Sequence, residues 1–583
     1  MKRRQLLGGG LALAGAALTD RPAVAAAVQR ARPGAHGWPS AADWDTLRQA
    51  TGGRLSPVSL PDLASPEAKT LLSNPFYLAD HPGLAQHSGW LDAWRSSPSA
   101  YAVAAENVAD VAAAVRFARA HNLRLVIKGR GHSFFGGSNA PDSLLIWTRR
   151  MDGVTVHDAF TPVGSKAAPV PAVSCGAGAM WLHAYQAVSV GAGRYVQGGG
   201  CTTVGVAGLV QGGGFGSFST NFGSAAASLL EAEIVTADGK VRVVNRVREP
   251  DLFWALKGGG GGTFGVVTRL TLATHELPQV FGAVRLTLHA HSDDAFRRLL
   301  AGFIDLYAAN LFNRHWGEQV TAEFGNRLDV AMVFQGLTQG EAAAAWKPLL
   351  DFVSANSADY EGQGSFAVTA IPARVFWNAD VMRRTPGAIV PDPRPGAAPT
   401  DFSWPGDDTV GGHWYAFTSA WTPAALLTPR NRAGLVDAWF AASRHWPVAF
   451  HFNKGLAGAP KAAVDASRDT STNPDMLDAF ALAIIAMAGP PAFRGMPEPN
   501  VAVARSLAGR VQASMKALRV AAPDTGAYVN ECDFFQPDWQ RAFWGANYPR
   551  LARIKRRYDP DGLFTVHHGV GSEAWSADGF THA

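Results

Sequence analysis

The stretch QGGGCTTVGVAGLVQGGGFG, residues 197–216, strips side chains from the backbone twice, in two glycine triplets with eleven residues between them. Glycine admits close approach and positive φ, so this segment has to lie against another backbone, a side chain or a flat ligand. Cys201 directly follows the first triplet. A second glycine turn, GRGHSFFGG at 129–137, carries His132. It follows LRLVIK, where Leu123, Leu125 and Ile127 alternate with Arg124, Val126 and Lys128, the pattern of a strand. Before that strand, Val108, Val111, Val115 and Ala118 share a helical face, with Asn107 as the N-cap. Before Cys201, AMWLHAYQAVSVGAG reads as a helix closed by Gly191, and RYVQ as a short extended piece. Helix, strand, glycine turn and nucleophile therefore occur twice. One histidine alone would read as a turn residue, and one cysteine as a small buried hydrophobe. Two nucleophiles in equivalent cleared turns point to chemistry on a shared ligand.

The run from Gly260 to Gly265 matches G-x-G-x-x-G, but the helix EPDLFWALKG, entered through Pro250, precedes it, and the strand VVTRLTLATH follows. A dinucleotide-binding turn of the Rossmann kind needs the reverse order, so a nicotinamide site is not expected. AEIVTADGKVRVV reads as a hairpin turned at Asp238-Gly239. Between about 283 and 520, alternating segments such as GAVRLTLHAH and RLDVAMVFQG mix with helical ones such as DAFRRLLAGFIDLYAANL. This reads as a separate α+β domain with one sheet. The most apolar run, 479–488, is too short to span a bilayer and reads as a buried helix. Residues 28–97, rich in Pro, Gly, Ser and Ala, read as a wrapping extension with little regular structure.

The first 27 residues carry Lys2-Arg3-Arg4, an apolar run from Leu6 to Leu18, and a small-residue site at Ala23-Val24-Ala25. This is a signal peptide, and Arg3-Arg4 followed by Gln5-Leu6-Leu7 resembles a twin-arginine signal. The expectation is export to the periplasm or medium, with the export machinery as partner of the precursor. Formal charge is +5 for the whole chain, so without the three basic leader residues it is close to neutral. There is no basic stripe, which argues against nucleic acid binding, and no second segment long enough to span a membrane. Cys175, Cys201 and Cys532 make an odd number, so at most one disulfide can form. No C-x-x-C pair is present, which argues against a zinc or redox pair of cysteines, and no metal site is expected.

Four motifs in order resemble the berberine bridge enzyme-like flavoprotein oxidases of the vanillyl-alcohol oxidase superfamily: KGRGHS (128–133), GGGCTTVGVAGLVQGGGFG (198–216), DLFWALKGGGGGTFGVVT (251–268) and NYPRLARIKRRYDPDGLF (547–564). The resemblance implies an α+β fold. It comprises a two-part PCMH-type FAD-binding domain (98–280), a substrate domain with an antiparallel sheet (283–520) and a C-terminal segment (525–583) returning to the FAD domain. It implies FAD held by two covalent bonds, His132 to the 8α carbon and Cys201 sulfur to C6 of the ring. A neutral imidazole and a thiolate are nucleophiles suited to an electron-poor flavin. The cofactor-binding residues it implies are Lys128, Gly129, Arg130, Gly131 and Ser133 in the first motif. In the second they are Gly198, Gly199, Gly200, Thr202, Val204, Gly205, Gly208, Gln211, Gly212, Gly213 and Gly214, with Gly265, Val267 and Asn530 further on. Arg130 departs from the family, which has glycine there; it either contacts the pyrophosphate or faces solvent.

Val204, third after the cysteine, goes in this family with use of O₂. Oxidising an alcohol also needs a proton acceptor. GAYVNECDF resembles the family's Y-x-N strand, which makes Tyr528 the candidate, although a phenol with its ordinary pKa of about 10 needs a donor or cation beside it. VAFHFNKG offers His451, Asn453 and Lys454 as neighbours, with strand alternation putting His451 and Asn453 on one face. Tyr558-Asp559-Pro560 is expected to end a helix and turn the chain back. The expected function is oxidation of a hydroxyl group on a sugar, oligosaccharide or secondary metabolite, with O₂ as acceptor and peroxide as product. The alternatives are a flavin dehydrogenase passing electrons to a quinone or cytochrome outside the cytoplasm, and a non-catalytic carbohydrate binder.

Overall fold

The helix Val108–Ala120 starts at Asn107, whose side chain accepts the Asp110 N–H, and buries Val111, Val115 and Ala118 completely. In the computed structural model, which describes residues 28–582 apart from 64 and 407–409, this helix is a crossover. It joins Tyr101–Ala104 to Arg124–Lys128, both parallel to Ser143–Trp147 between them. Leu55–Pro57 completes this four-stranded sheet. The leader assigned to residues 1–27 lies outside the described residues.

A second sheet of five antiparallel strands has the order Val241–Asn245, Leu229–Val235, Val266–Ala273, Val170–Gly176, Val154–Phe160. Its first two strands form the expected hairpin. The helix Pro250–Leu256 precedes the glycine run and the strand Val266–Ala273 follows it, the order that excludes a Rossmann turn.

The substrate side is a ten-stranded sheet. At its centre, Trp316–Glu323, Val448–His451, Ala479–Gly489 and Gly411–Pro423 run antiparallel in that order. Helices Asp293–Leu306, Gln339–Ala355, Arg432–Ser443 and Val501–Leu518 join this sheet's apolar residues in one core. The run read as a buried helix is thus a central strand. Its first seven residues are all buried, so both faces are apolar and the period-2 signal is lost.

The extension also departs from expectation. It forms helices Ala41–Ala50, Pro66–Leu71 and Pro75–Ala79, the last two with proline in the first turn. Proline suits that position because its fixed φ is helical and no amide partner is needed there. Its strand His87–Trp90 pairs in parallel with Gly411–Pro423 and so extends the substrate sheet. At the other end of the chain, Lys555 Nζ donates to the carbonyls of Thr263 and Phe564 and to Asp559 Oδ2, while Asp559 accepts the amides of Leu563 and Phe564. That buried knot is the turn expected at Tyr558-Asp559-Pro560, and it returns the chain to the first two sheets.

Candidate active site

The strand Arg124–Lys128 delivers the chain to Gly129, where a Cβ would sit 3.0 Å from the Ala177 carbonyl, and to Gly131, at φ +85°. His132 follows. The extension grips this turn: Gln86 N–H donates to the Gly131 carbonyl at 3.0 Å and Gln86 Nε2 to the Arg130 carbonyl at 3.3 Å. Lys128 Nζ reaches the carbonyls of His81, Pro82 and Leu84 at 3.0, 2.7 and 2.8 Å. Lys128 is therefore a buried clasp, turned away from the cavity, and burial pulls its ammonium down to about 7.

His132 Nε2 and Thr203 Oγ1 are 3.3 Å apart, which joins the two glycine turns at their nucleophile-bearing ends. Burial, with a smaller push from the Arg130 charge, lowers the imidazole to about 4, so it is neutral at neutral pH. The Cys201 segment is pinned from both sides. Tyr185 OH donates to the Gly199 carbonyl at 2.8 Å, Trp404 Nε1 to the Gly200 carbonyl at 3.0 Å, and the Trp181 amide to the Val204 carbonyl at 3.1 Å. Cys201 is exposed on the cavity wall, whereas Cys175 and Cys532 are buried and form no disulfide.

His132, Cys201 and Tyr528 all line one cavity of about 1380 Å³. A typical pocket for one small ligand spans roughly 300–1,000 Å³, so this one holds more than a single such molecule. Of the residues expected to bind cofactor, Gly129, Arg130, Gly131, Ser133, Val204, Gly205, Gly208, Gln211, Gly265, Val267 and Asn530 line it too. Gly198, Gly199, Gly200, Thr202, Gly212, Gly213 and Gly214 lie off this wall, and packing explains several of these glycines. A Cβ on Gly198 would lie 2.1 Å from the Trp181 ring, one on Gly212 would lie 2.2 Å from Asn530 Nδ2, and one on Gly213 2.8 Å from Thr472. The triplets make room for the protein's own side chains. The second one also holds Tyr528, whose hydroxyl oxygen accepts from the Gly214 amide at 3.2 Å and from Asn530 Nδ2 at 2.9 Å.

Sequence reasoning set aside Gly260–Gly262 because their context is wrong for a Rossmann turn, yet all three line the cavity beside Thr263. It also missed His567 and His568, on the segment after the Asp559 turn. The unbroken glycines at 258–262 were the available signal for the first of these; in the fold a Cβ on Gly208 would meet nothing within 4 Å, and one on Gly261 only Gly208 at 3.9 Å. Arg130 Nη2, Gln211 Oε1, Thr263 Oγ1 and His568 Nδ1, all on cavity residues, are buried without a protein partner. Arg130 Nε donates to the Gly178 carbonyl at 2.7 Å, so this residue is neither solvent-facing nor fully satisfied. Open glycines facing unpaired polar atoms suit a large polar ligand of the dinucleotide kind.

At the sheet end, Gln319 and His451, directly opposed on neighbouring strands, line the cavity with Lys454, Tyr528 and Glu531. Asn453 is buried off the wall, because the strand ends at His451 and alternation stops there. Lys454 Nζ is ion-paired with Glu531 and lies 6.0 Å from the Tyr528 ring centroid. Burial drives the Tyr528 phenol well above its ordinary value, the Glu531 charge adds to this, and the two donors only partly offset it. Burial and the Lys454 charge push His451 far below the usual histidine range. The adjoining wall is apolar, with Trp414, Phe417, Ile484 and Met487.

Comparison with known proteins agrees with this arrangement. A family model described as FAD binding domain matches residues 99–245, and one described as Berberine and berberine like matches 527–571. The chain belongs to the FAD-linked oxidoreductases of the VAO type, with a berberine-like C-terminal segment. It is 30% identical to the FAD-linked oxidoreductase notD of an Aspergillus species, over 94% of this chain and 89% of that one. It is 29% identical to the VAO-type flavoprotein oxidase VAO615 of Thermothelomyces thermophilus, over 94% of each. The crystal structure of MtVAO615 from Myceliophthora thermophila superposes with a TM-score of 0.76 at 26% identity, covering 95% of this chain and all of that one. Glucooligosaccharide oxidase from Acremonium strictum shares the fold, with a TM-score of 0.64 at 19% identity over 90% of this chain and 99% of its own.

Proposed function

We propose that this FAD-dependent oxidoreductase oxidises a hydroxyl group on a ring-bearing, largely apolar metabolite, passes the electrons to O₂, and carries its flavin on both His132 and Cys201. The observation that carries the reading is the convergence of the two nucleophile turns, bridged from Thr203 to His132, on a cavity whose far end holds the polar group Gln319, His451, Lys454, Tyr528 and Glu531. Bound FAD would supply the hydride acceptor. The chain's own residues divide the remaining work. Gly208, Gly261 and Gly262 clear space for the cofactor, and Arg130, Gln211 and Thr263 offer it polar atoms. Neutral His132 keeps a lone pair available for attachment. Trp414, Phe417, Ile484 and Met487 give the substrate body an apolar wall where a free sugar would find few hydrogen-bonding partners. Val204 on the cavity wall supports the use of O₂. The glucooligosaccharide oxidase that shares this fold is described as carrying a 6-S-cysteinyl, 8α-N1-histidyl FAD, which fits the double attachment.

The test is acid precipitation followed by peptide mass spectrometry. Flavin should stay with the polypeptide on peptides containing His132 and Cys201, and each single alanine variant should keep one link. Flavin recovered intact in the supernatant would refute the attachment. Anaerobic bleaching of the flavin by an alcohol panel, then peroxide release on adding air, tests the reaction.

A further inference from the structure

The turn at Tyr528 is closed by the Glu531 amide donating to the Tyr528 carbonyl at 2.9 Å, and it sets Tyr528, Asn530 and Glu531 side by side on the cavity wall. These groups are not equal as proton acceptors. The Tyr528 phenol is buried and kept protonated, so it can donate a hydrogen bond but has no free charge to accept a proton. His451 is neutral but so depressed by burial that it binds a proton weakly. Lys454 is engaged with a carboxylate. Glu531 is the carboxylate of that ion pair, its side chain is 26% exposed, and it lines the cavity.

We propose that Glu531, steered by its ion pair with Lys454, takes the hydroxyl proton of the substrate. This rests on the reading above that the substrate is an alcohol. In the step, the O–H bond breaks and its proton goes to a Glu531 oxygen, while the O–H electron pair becomes the second bond of the carbonyl. The C–H bond breaks and its hydrogen leaves with both electrons to the flavin, which is reduced as the alcohol is oxidised. Tyr528, with its oxygen fixed by Gly214 and Asn530, is then a positioning donor to the substrate oxygen.

Rapid-mixing measurement of anaerobic flavin bleaching, on the holoprotein with the alcohol that bleaches it fastest, tests this. The charged and titratable groups around Glu531 are Lys454 and His451 from the strand end, Glu318 from the neighbouring strand, and Tyr528, Cys532 and Asp533 on its own segment. Glu531→Gln should load flavin like the parent and slow bleaching by roughly 10²- to 10⁴-fold. Glu531→Asp should recover part of the rate. Lys454→Met provides an independent readout: without the ion pair that steers the carboxylate, bleaching should slow while flavin loading stays at the parent level. Bleaching at the parent rate by Glu531→Gln, or by Lys454→Met, overturns the assignment while leaving alcohol oxidation standing. A parent that no alcohol bleaches overturns both.

Discussion

At the scale of single residues, Tyr528 has the surroundings of a base in its hydrogen bonds and of a neutral phenol in its burial. Two donors at its oxygen, from Gly214 and Asn530, would favour a phenolate in water. Here burial outweighs them and the phenol stays neutral. Removing only its oxygen frees the Gly214 and Asn530 donors and takes one neutral hydrogen bond from the substrate oxygen, and that last loss is worth about 0.5–1.5 kcal/mol net, or roughly 2- to 13-fold in rate. Tyr528→Phe should slow anaerobic bleaching by no more than that, with flavin loading unchanged. A loss of about 10³-fold or more would return the base role to Tyr528. His132, Cys201 and Tyr528 were legible because each sits in a motif that singles it out. Glu531 was not, because a carboxylate at one position reads as surface until its lysine partner, 77 positions away in the chain, is in place.

At the scale of elements, the sequence signals failed where both faces of a segment are covered. The strand Ala479–Gly489 has no polar face to reveal its period, and two of the prolines that made the extension look irregular, Pro66 and Pro75, open helices. Glycine carries the same ambiguity: it shows that something comes close, not what. At Gly198 the neighbour is Trp181, at Gly212 it is Asn530, and at Gly208 it is open cavity. That contrast makes Gly208 the sharper probe. It lies in the helix Val206–Gln211, on the cavity wall beside Gly261. A side chain there starts in open space, its Cβ meeting nothing within 4 Å, so the fold should survive, but valine occupies space assigned to the cofactor. Gly208→Val should be purified with a parent-like circular dichroism spectrum and little or no flavin. Parent-level flavin in this variant would mean that the cofactor does not lie against Gly208.

At the scale of the whole molecule, the extension ties the cofactor turn to the substrate sheet, and it does so through a buried histidine. Gln86 holds the Gly131 carbonyl, and the next residue, His87, starts the strand that lies along Gly411–Pro423. The His87 ring packs edge-on to Phe134 at 4.8 Å and against Trp414 at 5.1 Å, with Nδ1 unpartnered. Burial first, and the nearby His132 second, depress it to about 3. The unfolded chain binds this proton at about pH 6.5, and the fold does not until about pH 3. Between those values the unfolded state holds more protons, so stability is present in full above about pH 6.5 and is lost as the pH falls towards 3. One group of this kind contributes a slope of about 1.4 kcal/mol per pH unit across that window. Carboxylates add their own slope, which the comparison of parent with variant cancels. His87→Gln keeps a polar side chain of similar reach and cannot take up the proton. Its urea unfolding free energy, measured at steps from pH 7 to 4 on the holoprotein, should fall less steeply than the parent's by about that amount per pH unit. Parallel curves would show that His87 is already protonated in the fold or has an acceptor for its ring, and that the joint between extension and substrate sheet is indifferent to pH.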